Sequence, residues 1–173
     1  MDIPKKIKIY QILLIAFFLI PLNSYSDNDI FFGVGIGSDG ISAARLSKNY
    51  DLGSFFETSL NNSSELGLNF WDGDTNNSDS ESSNTSLTLS HIISYEFDSN
   101  FFLNTGVGLA LLTDNKIGDR NLGSSLQFES RFGFGYRTNN TNSSVNIFHY
   151  SNAGTANDNS GVNILMLNLS HLF

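Results

Sequence analysis

The stretch NIFHYSNAG, residues 146–154, places His149 and Ser151 two positions apart and follows them with Asn152, Ala153 and Gly154. A serine hydroxyl is a weak nucleophile until a base takes its proton during attack. Histidine is the side chain whose ordinary pKa lets it do this near neutrality. Residues spaced by two share one face of a β-strand, so a strand here would set base and nucleophile side by side. Ester hydrolysis also needs a group that orients the ring and a donor that meets the oxyanion. Asn163, in the next alternating segment, falls on the same face and is the candidate for orienting the ring. The same three residues would equally suit an inert polar rim, and the spacing alone leaves both readings open.

The elements that must carry these residues are strands, because the dominant period of the chain is two. In DIFFGVGIGSD (29–39), Ile30, Phe32, Val34 and Ile36 alternate with Phe31 and glycines. ISAARLSKNYDL (41–52) is a weaker candidate, and residues 54–73 form a long one with a bend expected at Asn61–Asn62. SLTLSHIISYEF (86–97), FFLNTGVGLALL (101–112), SSLQFESRFGFGYRT (124–138), SSVNIFHYS (143–151) and GVNILMLNLSHLF (161–173) follow. Polar, turn-like links separate them, among them DNKIGDRN and TNNTN. The sixth run is the most informative: Leu126, Phe128, Phe132, Phe134 and Tyr136 share a face with Ser130, while Gln127, Glu129, Arg131 and two glycines occupy the other.

The chain of 173 residues starts with a basic head, Lys5, Lys6 and Lys8, and an apolar run from Ile9 to Leu22. Ser24 and Ser26 follow at positions a signal peptidase reads, so residues 1–26 are expected to be a cleaved signal peptide and 27–173 the mature domain. The apolar run is short of the ~20 residues of a spanning helix. Losing three lysines and one aspartate takes the formal charge from −8 to −10, which does not suit nucleic-acid binding. There is no cysteine, hence no disulfide or thiol chemistry. Both prolines fall in the leader and all 15 glycines after it.

Eight strands of roughly ten residues, aromatics near their ends and a preceding leader match a small outer-membrane barrel. The predicted fold is therefore all-β, an eight-stranded antiparallel transmembrane β-barrel with apolar side chains in lipid and small or polar ones inside. Closure pairs every backbone group, so the fold needs no disulfide. A soluble lipocalin-like barrel is the alternative, with the apolar face turned inward. In the membrane version both termini lie in the periplasm, so the seventh strand ends and the eighth begins at the external rim. His149, Ser151 and Asn163 then converge on neighbouring strands, facing outward at the level of the outer leaflet, joined by the polar loop NAGTANDNSG (152–161).

HYSNAG, followed by SGVN at 160–163, resembles the signature of the lipid A 3-O-deacylases of the PagL type. LGSSLQFESRFGFGYR (122–137) resembles another block of that family, and NFWDG (69–73) an earlier one. The resemblance covers most of the mature chain, and the His-x-Ser-Asn-x-Gly motif is its specific part. It implies an outer-membrane esterase that removes the 3-hydroxyacyl chain ester-linked at position 3 of lipid A. Ser151 would be the nucleophile, His149 the general base, and Asn152 with the Gly154 backbone N–H the oxyanion site. Its partner would be lipopolysaccharide in the outer leaflet; no cofactor or metal is implied, and the barrel would be a monomer or homodimer. One position departs from the pattern: the family carries glutamate where this chain has Asn163. An amide can orient the imidazole but cannot stabilise the imidazolium, which makes Asp158 in the loop an alternative third member. The alternative function is a structural or adhesive barrel of the same architecture without chemistry. A third reading, an interior acyl pocket, needs catalytic groups facing inward, which strand parity disfavours.

The remaining residues of note read as structural. His91 lies mid-strand on an apolar face, and His171 near the periplasmic rim. Trp71 and the many Phe and Tyr residues are girdle candidates. The acidic loop 72–81 reads as solvated; it lacks the regular spacing of a calcium loop.

Overall fold

The computed structural model describes residues 30–54, 59–76, 82–97 and 100–171. The leader 1–26, the acidic positions beyond Asn76 and the terminal Phe173 lie outside the described residues. Ten strands follow in order: β1 (Ile30–Gly37), β2 (Ser42–Ser54), β3 (Leu60–Asp72), β4 (Ser83–Glu96), β5 (Phe101–Leu112), β6 (Lys116–Ile117), β7 (Arg120–Asn121), β8 (Leu126–Arg137), β9 (Thr141–Ser151) and β10 (Val162–His171). Eight of them close an antiparallel barrel in the order β1-β10-β9-β8-β5-β4-β3-β2. Every neighbour around the wall is a sequence neighbour among the eight, apart from the closing β1–β10 pair, so the sheet has no open edge.

The alternation has the predicted sense. Ile30, Phe32, Val34 and Ile36 of β1, Phe132 and Phe134 of β8, and Leu165, Leu167 and Leu169 of β10 are exposed on the outer wall. Polar groups are buried inside, among them Arg45, Glu65, Asn69, Gln127, Glu129 and Arg131. A lipocalin-like arrangement is thereby excluded. Lipid supplies the surroundings that the outward apolar band requires, and the backbone polar groups are paired around the ring.

The interior is filled in tiers. Toward the external end, Ile41, Trp71, Leu112, Ile117, Leu122, Phe148, Tyr150 and Val162 form an apolar plug. Below it lies an ion-pair network. Arg45 donates from Nη1 to Asn69 Oδ1 (2.8 Å), Glu129 Oε2 (3.0 Å) and the Tyr150 hydroxyl (3.1 Å), and from Nη2 to Glu65 Oε1 (2.6 Å). Arg131 pairs with Glu65 at 3.1 Å, Ser90 donates to Glu129 at 2.6 Å, and Tyr150 donates to Glu129 at 2.9 Å. Two guanidinium groups thus face two carboxylates, and the buried charges cancel. Arg45 and Arg131 also stack over the Phe148 ring, 5.0 and 5.4 Å from its centre.

Four sequence expectations are corrected. Trp71 is not a girdle residue: it points inward, edge-on to Tyr150 with ring centres 4.9 Å apart. Phe31, Phe102, Phe148 and Tyr150 are buried inside too, Phe148 and Tyr150 on the inner face that strand parity gives them. A lumen closed by side chains needs bulky groups, so aromatics occupy both faces of the wall. The segment DNKIGDRN is not a plain turn but a β6–β7 hairpin. The link TNNTN ends earlier than expected, because β9 begins at Thr141. The loop after β3 is also more than solvated chain at its start: Asn76 N (2.9 Å), Asn76 Nδ2 (2.7 Å) and Thr75 Oγ1 (3.2 Å) all donate to the Asp119 carboxylate. These bonds hold the Asp119 carboxyl below its ordinary pKa, the Asn76 backbone N–H contributing most.

Candidate active site

His149 and Ser151 belong to the last turn of alternation in β9, and Asn163 is the second residue of β10. The antiparallel register sets Asn163 directly opposite His149. Their side chains meet on the outer wall, His149 Nδ1 to Asn163 Oδ1 at 2.8 Å. An amide oxygen only accepts, so Nδ1 is the donor in this contact, and in the neutral ring that tautomer leaves the lone pair on Nε2. Both residues are exposed, and Ser151 is half-buried at the strand's end. On the other side of β9, Ser130 stands opposite His149 and Phe128 opposite Ser151.

Gly161 links the two candidate catalytic side chains. Its φ is +56°, and a Cβ placed there would stand 3.3 Å from His149 Cε1 and 3.8 Å from Ser151 Cβ. A larger residue would be strained by its backbone and crowded by the imidazole, so the bare backbone of Gly161 forms one wall of the site. The backbone N–H of Asn163 donates to Ser38 Oγ at 3.4 Å.

Asn152 is buried and points into the barrel mouth. Its Nδ2 donates to the Leu122 carbonyl (2.9 Å) and the Asp158 carbonyl (2.5 Å), and its Oδ1 accepts the Gly154 N–H (2.8 Å). Its own N–H donates to Asn159 Oδ1 at 3.1 Å, and its carbonyl accepts the Thr155 hydroxyl at 2.8 Å. The carboxamide is thus the knot of the loop, and the Gly154 N–H is held by it. Asp158 accepts from Asn121 Nδ2 at 2.8 Å, so the partner of the His149 ring is Asn163 rather than Asp158. His91 lies on the outer face of β4, opposite Val107 and Ser64.

Sequence reasoning did not single out Gly161, Ser38 or the β6–β7 hairpin as parts of the site. Gly161 had a signal, a glycine closing a polar loop just before a strand. The contribution of the hairpin had none, because its contacts to the loop 152–161 are made across 30 to 41 residues of chain.

Fold and site define a class: an outer-membrane β-barrel with a polar cluster on its lipid-facing wall at the external rim. Comparison with known proteins goes further. The model of the lipid A 3-O-deacylase (PagL) family matches residues 40–171. Lipid A deacylase PagL of Pseudomonas aeruginosa is 33% identical over 142 residues, which span 78% of this chain and 80% of that protein. Lipid A deacylase PagL of Bordetella bronchiseptica is 28% identical over 74 residues, 42% of each chain. Among solved structures, the outer membrane enzyme PagL superposes with a TM-score of 0.74 at 31% identity, covering 82% of this chain and 97% of that one. Neisserial surface protein A, at 17% identity and a TM-score of 0.55 over 85% of this chain and 95% of its own, shares the fold alone. The chain belongs to the lipid A 3-O-deacylase (PagL) family. It is an ester-hydrolysing deacylase of the outer membrane.

Proposed function

We propose that this chain hydrolyses the ester-linked 3-hydroxyacyl chain at position 3 of lipid A, with Ser151 as nucleophile, His149 as general base and Asn163 as the residue that orients the ring. The observation that carries this reading is the 2.8 Å contact between His149 Nδ1 and Asn163 Oδ1 on the lipid-facing wall. It leaves Nε2 as the free base on the ring that flanks Ser151. Ser151 Oγ attacks the ester carbonyl as its proton passes to Nε2, and the sugar hydroxyl leaves with that proton. Water then attacks the acyl-enzyme by the same route and releases the 3-hydroxy fatty acid. An outward site at the rim meets a substrate whose acyl chains already lie in the outer leaflet, so the lipid need not leave the membrane.

Segment 152–154 supplies the oxyanion donor in this reading. With the Asn152 carboxamide holding Leu122 and Asp158, its part is to shape the turn. The Gly154 N–H becomes the donor by exchanging the Asn152 oxygen for the oxyanion. A neutral third residue keeps the correct tautomer but does not compensate the imidazolium charge, so the enzyme is slower than one with a carboxylate there. The test is incubation of the detergent-refolded barrel with purified lipid A, read by mass spectrometry for loss of one 3-hydroxyacyl chain. Ser151→Ala and His149→Ala are expected to abolish the loss while the barrel remains heat-modifiable on a gel. Cleavage by either variant at the wild-type rate overturns the assignment.

A further inference from the structure

Three consecutive residues of the external hairpin grip the loop that leads into β10. Arg120 Nη1 donates to the Ser160 carbonyl at 3.0 Å and also to the Gly161 carbonyl, and its Nη2 pairs with Asp39. Asn121 holds Asp158, and the Leu122 carbonyl holds Asn152. The hairpin is itself anchored on its far side. The Gly118 N–H donates to the Ser82 carbonyl at 3.2 Å, the Asp119 N–H to the Asp74 carbonyl at 3.1 Å, and Asn84 Nδ2 to the Asp114 carbonyl at 2.8 Å. Ile117 and Leu122 are driven into the apolar plug. The hairpin is therefore a fixed support rather than a loose flap.

The contacts of Arg120 close a ring around the third member of the site. One arm holds Gly161, the wall against His149 Cε1, two residues before Asn163. The other holds Asp39, whose neighbour Ser38 accepts the Asn163 N–H. The bonds of Arg120 end on the Ser160 and Gly161 carbonyls and on Asp39, short of the His149, Ser151 and Asn163 side chains, so its effect on chemistry passes through backbone placement. A guanidinium suits this role because its planar fork engages separate targets at once, whereas an ammonium offers a single point charge.

We propose that Arg120 is a positioning residue for deacylation, holding the Ser160 and Gly161 carbonyls and Asp39 together so that Asn163 meets His149 Nδ1 and Gly161 packs against the ring. This rests on the reading of His149 and Ser151 as base and nucleophile, but one of its readouts does not need activity. The experiment compares detergent-refolded wild type, R120A and R120K by lipid A cleavage kinetics and by ¹⁵N NMR of the His149 ring, assigned with H149Q.

Wild type is expected to hold His149 as the Nδ1–H tautomer. R120A is expected to mix the tautomers and to lower kcat on the order of 10- to 100-fold with KM nearly unchanged, as for a misplaced reacting group. R120K is expected to regain little of either. A His149 tautomer in R120A identical to wild type overturns the proposal, whether or not kcat falls, because a fall alone marks a generally loosened loop. If the wild type leaves lipid A uncut, the catalytic reading has failed and the tautomer comparison still decides the positioning. If R120A does not form a heat-modifiable barrel, D39A, which frees one arm only, is read by the same two criteria.

Discussion

His149 and Tyr150 follow one another in β9 and point to opposite sides of the barrel wall, where they meet polar groups of opposite kinds. Tyr150 donates to Glu129 inside, within a network of two full positive and two full negative charges. His149 meets the neutral Asn163 amide outside. Inside, the wall closes on itself, and each charge finds its counter-charge at hydrogen-bond distance, which offsets the loss of water. Outside, no second layer of protein faces the lipid. A charge on that wall costs about 2–4 kcal/mol for a basic residue at the midplane and less for an acidic one or near the interface. An amide in place of a carboxylate at Asn163 avoids even the smaller cost. In the proposed reaction it gives up the compensation that a carboxylate offers an imidazolium. The two sides of one strand thus differ in how their polar groups are matched: charge against charge inside, and imidazole against amide outside.

The comparison can be broken first on the outer side. S151A and H149A are expected to lower cleavage by at least about 10⁴-fold, as loss of a unit that acts together does, with the urea midpoint of the barrel unchanged. Next, Asn163→Glu tests the neutral amide itself. A carboxylate at this position is expected to raise kcat by between about 10- and 10⁴-fold, read in the same cleavage assay. A rate equal to wild type would show that imidazolium compensation comes from another group. The inner side should respond in the opposite manner. Glu129→Ala leaves Arg45, Ser90 and Tyr150 without a shared acceptor and is expected to cost about 3–5 kcal/mol of barrel stability in a urea titration. Once folded, that variant should retain most of its kcat.

The smallest expected effect is on the external loops. Asp119 has its folded-state pKa depressed by Asn76. The linked stabilisation is present above the ordinary carboxylate range and is lost as pH falls through the depressed value. Hydrogen exchange at the Asn76 amide should therefore lose protection only in acid below the usual aspartate pKa of ~3.9. D119N should show reduced protection at neutral pH with little further change on acidification.

Some of this molecule was legible along the chain. Alternation marks a strand because successive side chains leave a strand on opposite sides, so β4, β5, β8 and the β9–β10 pair could be read from local pattern. The outward sense of Leu126, Phe132 and Phe134 against Glu129 and Arg131 followed from the same parity. The site was partly legible because His149 and Ser151 are close in sequence and their shared face depends only on the strand. Trp71 was misassigned because hydrophobicity cannot say whether an aromatic meets lipid or a filled lumen; that depends on the barrel's girth. Asn152 holding the Leu122 carbonyl and Arg120 bridging Asp39 to Gly161 were out of reach for a different reason. Each joins segments far apart in the chain, and only closure of the sheet and the register of its strands bring them within hydrogen-bond distance. The residue types and their face were set by the sequence alone; which partner each one meets was decided by the tertiary structure, because pairing across strands is fixed by the whole ladder and not by any one of its rungs.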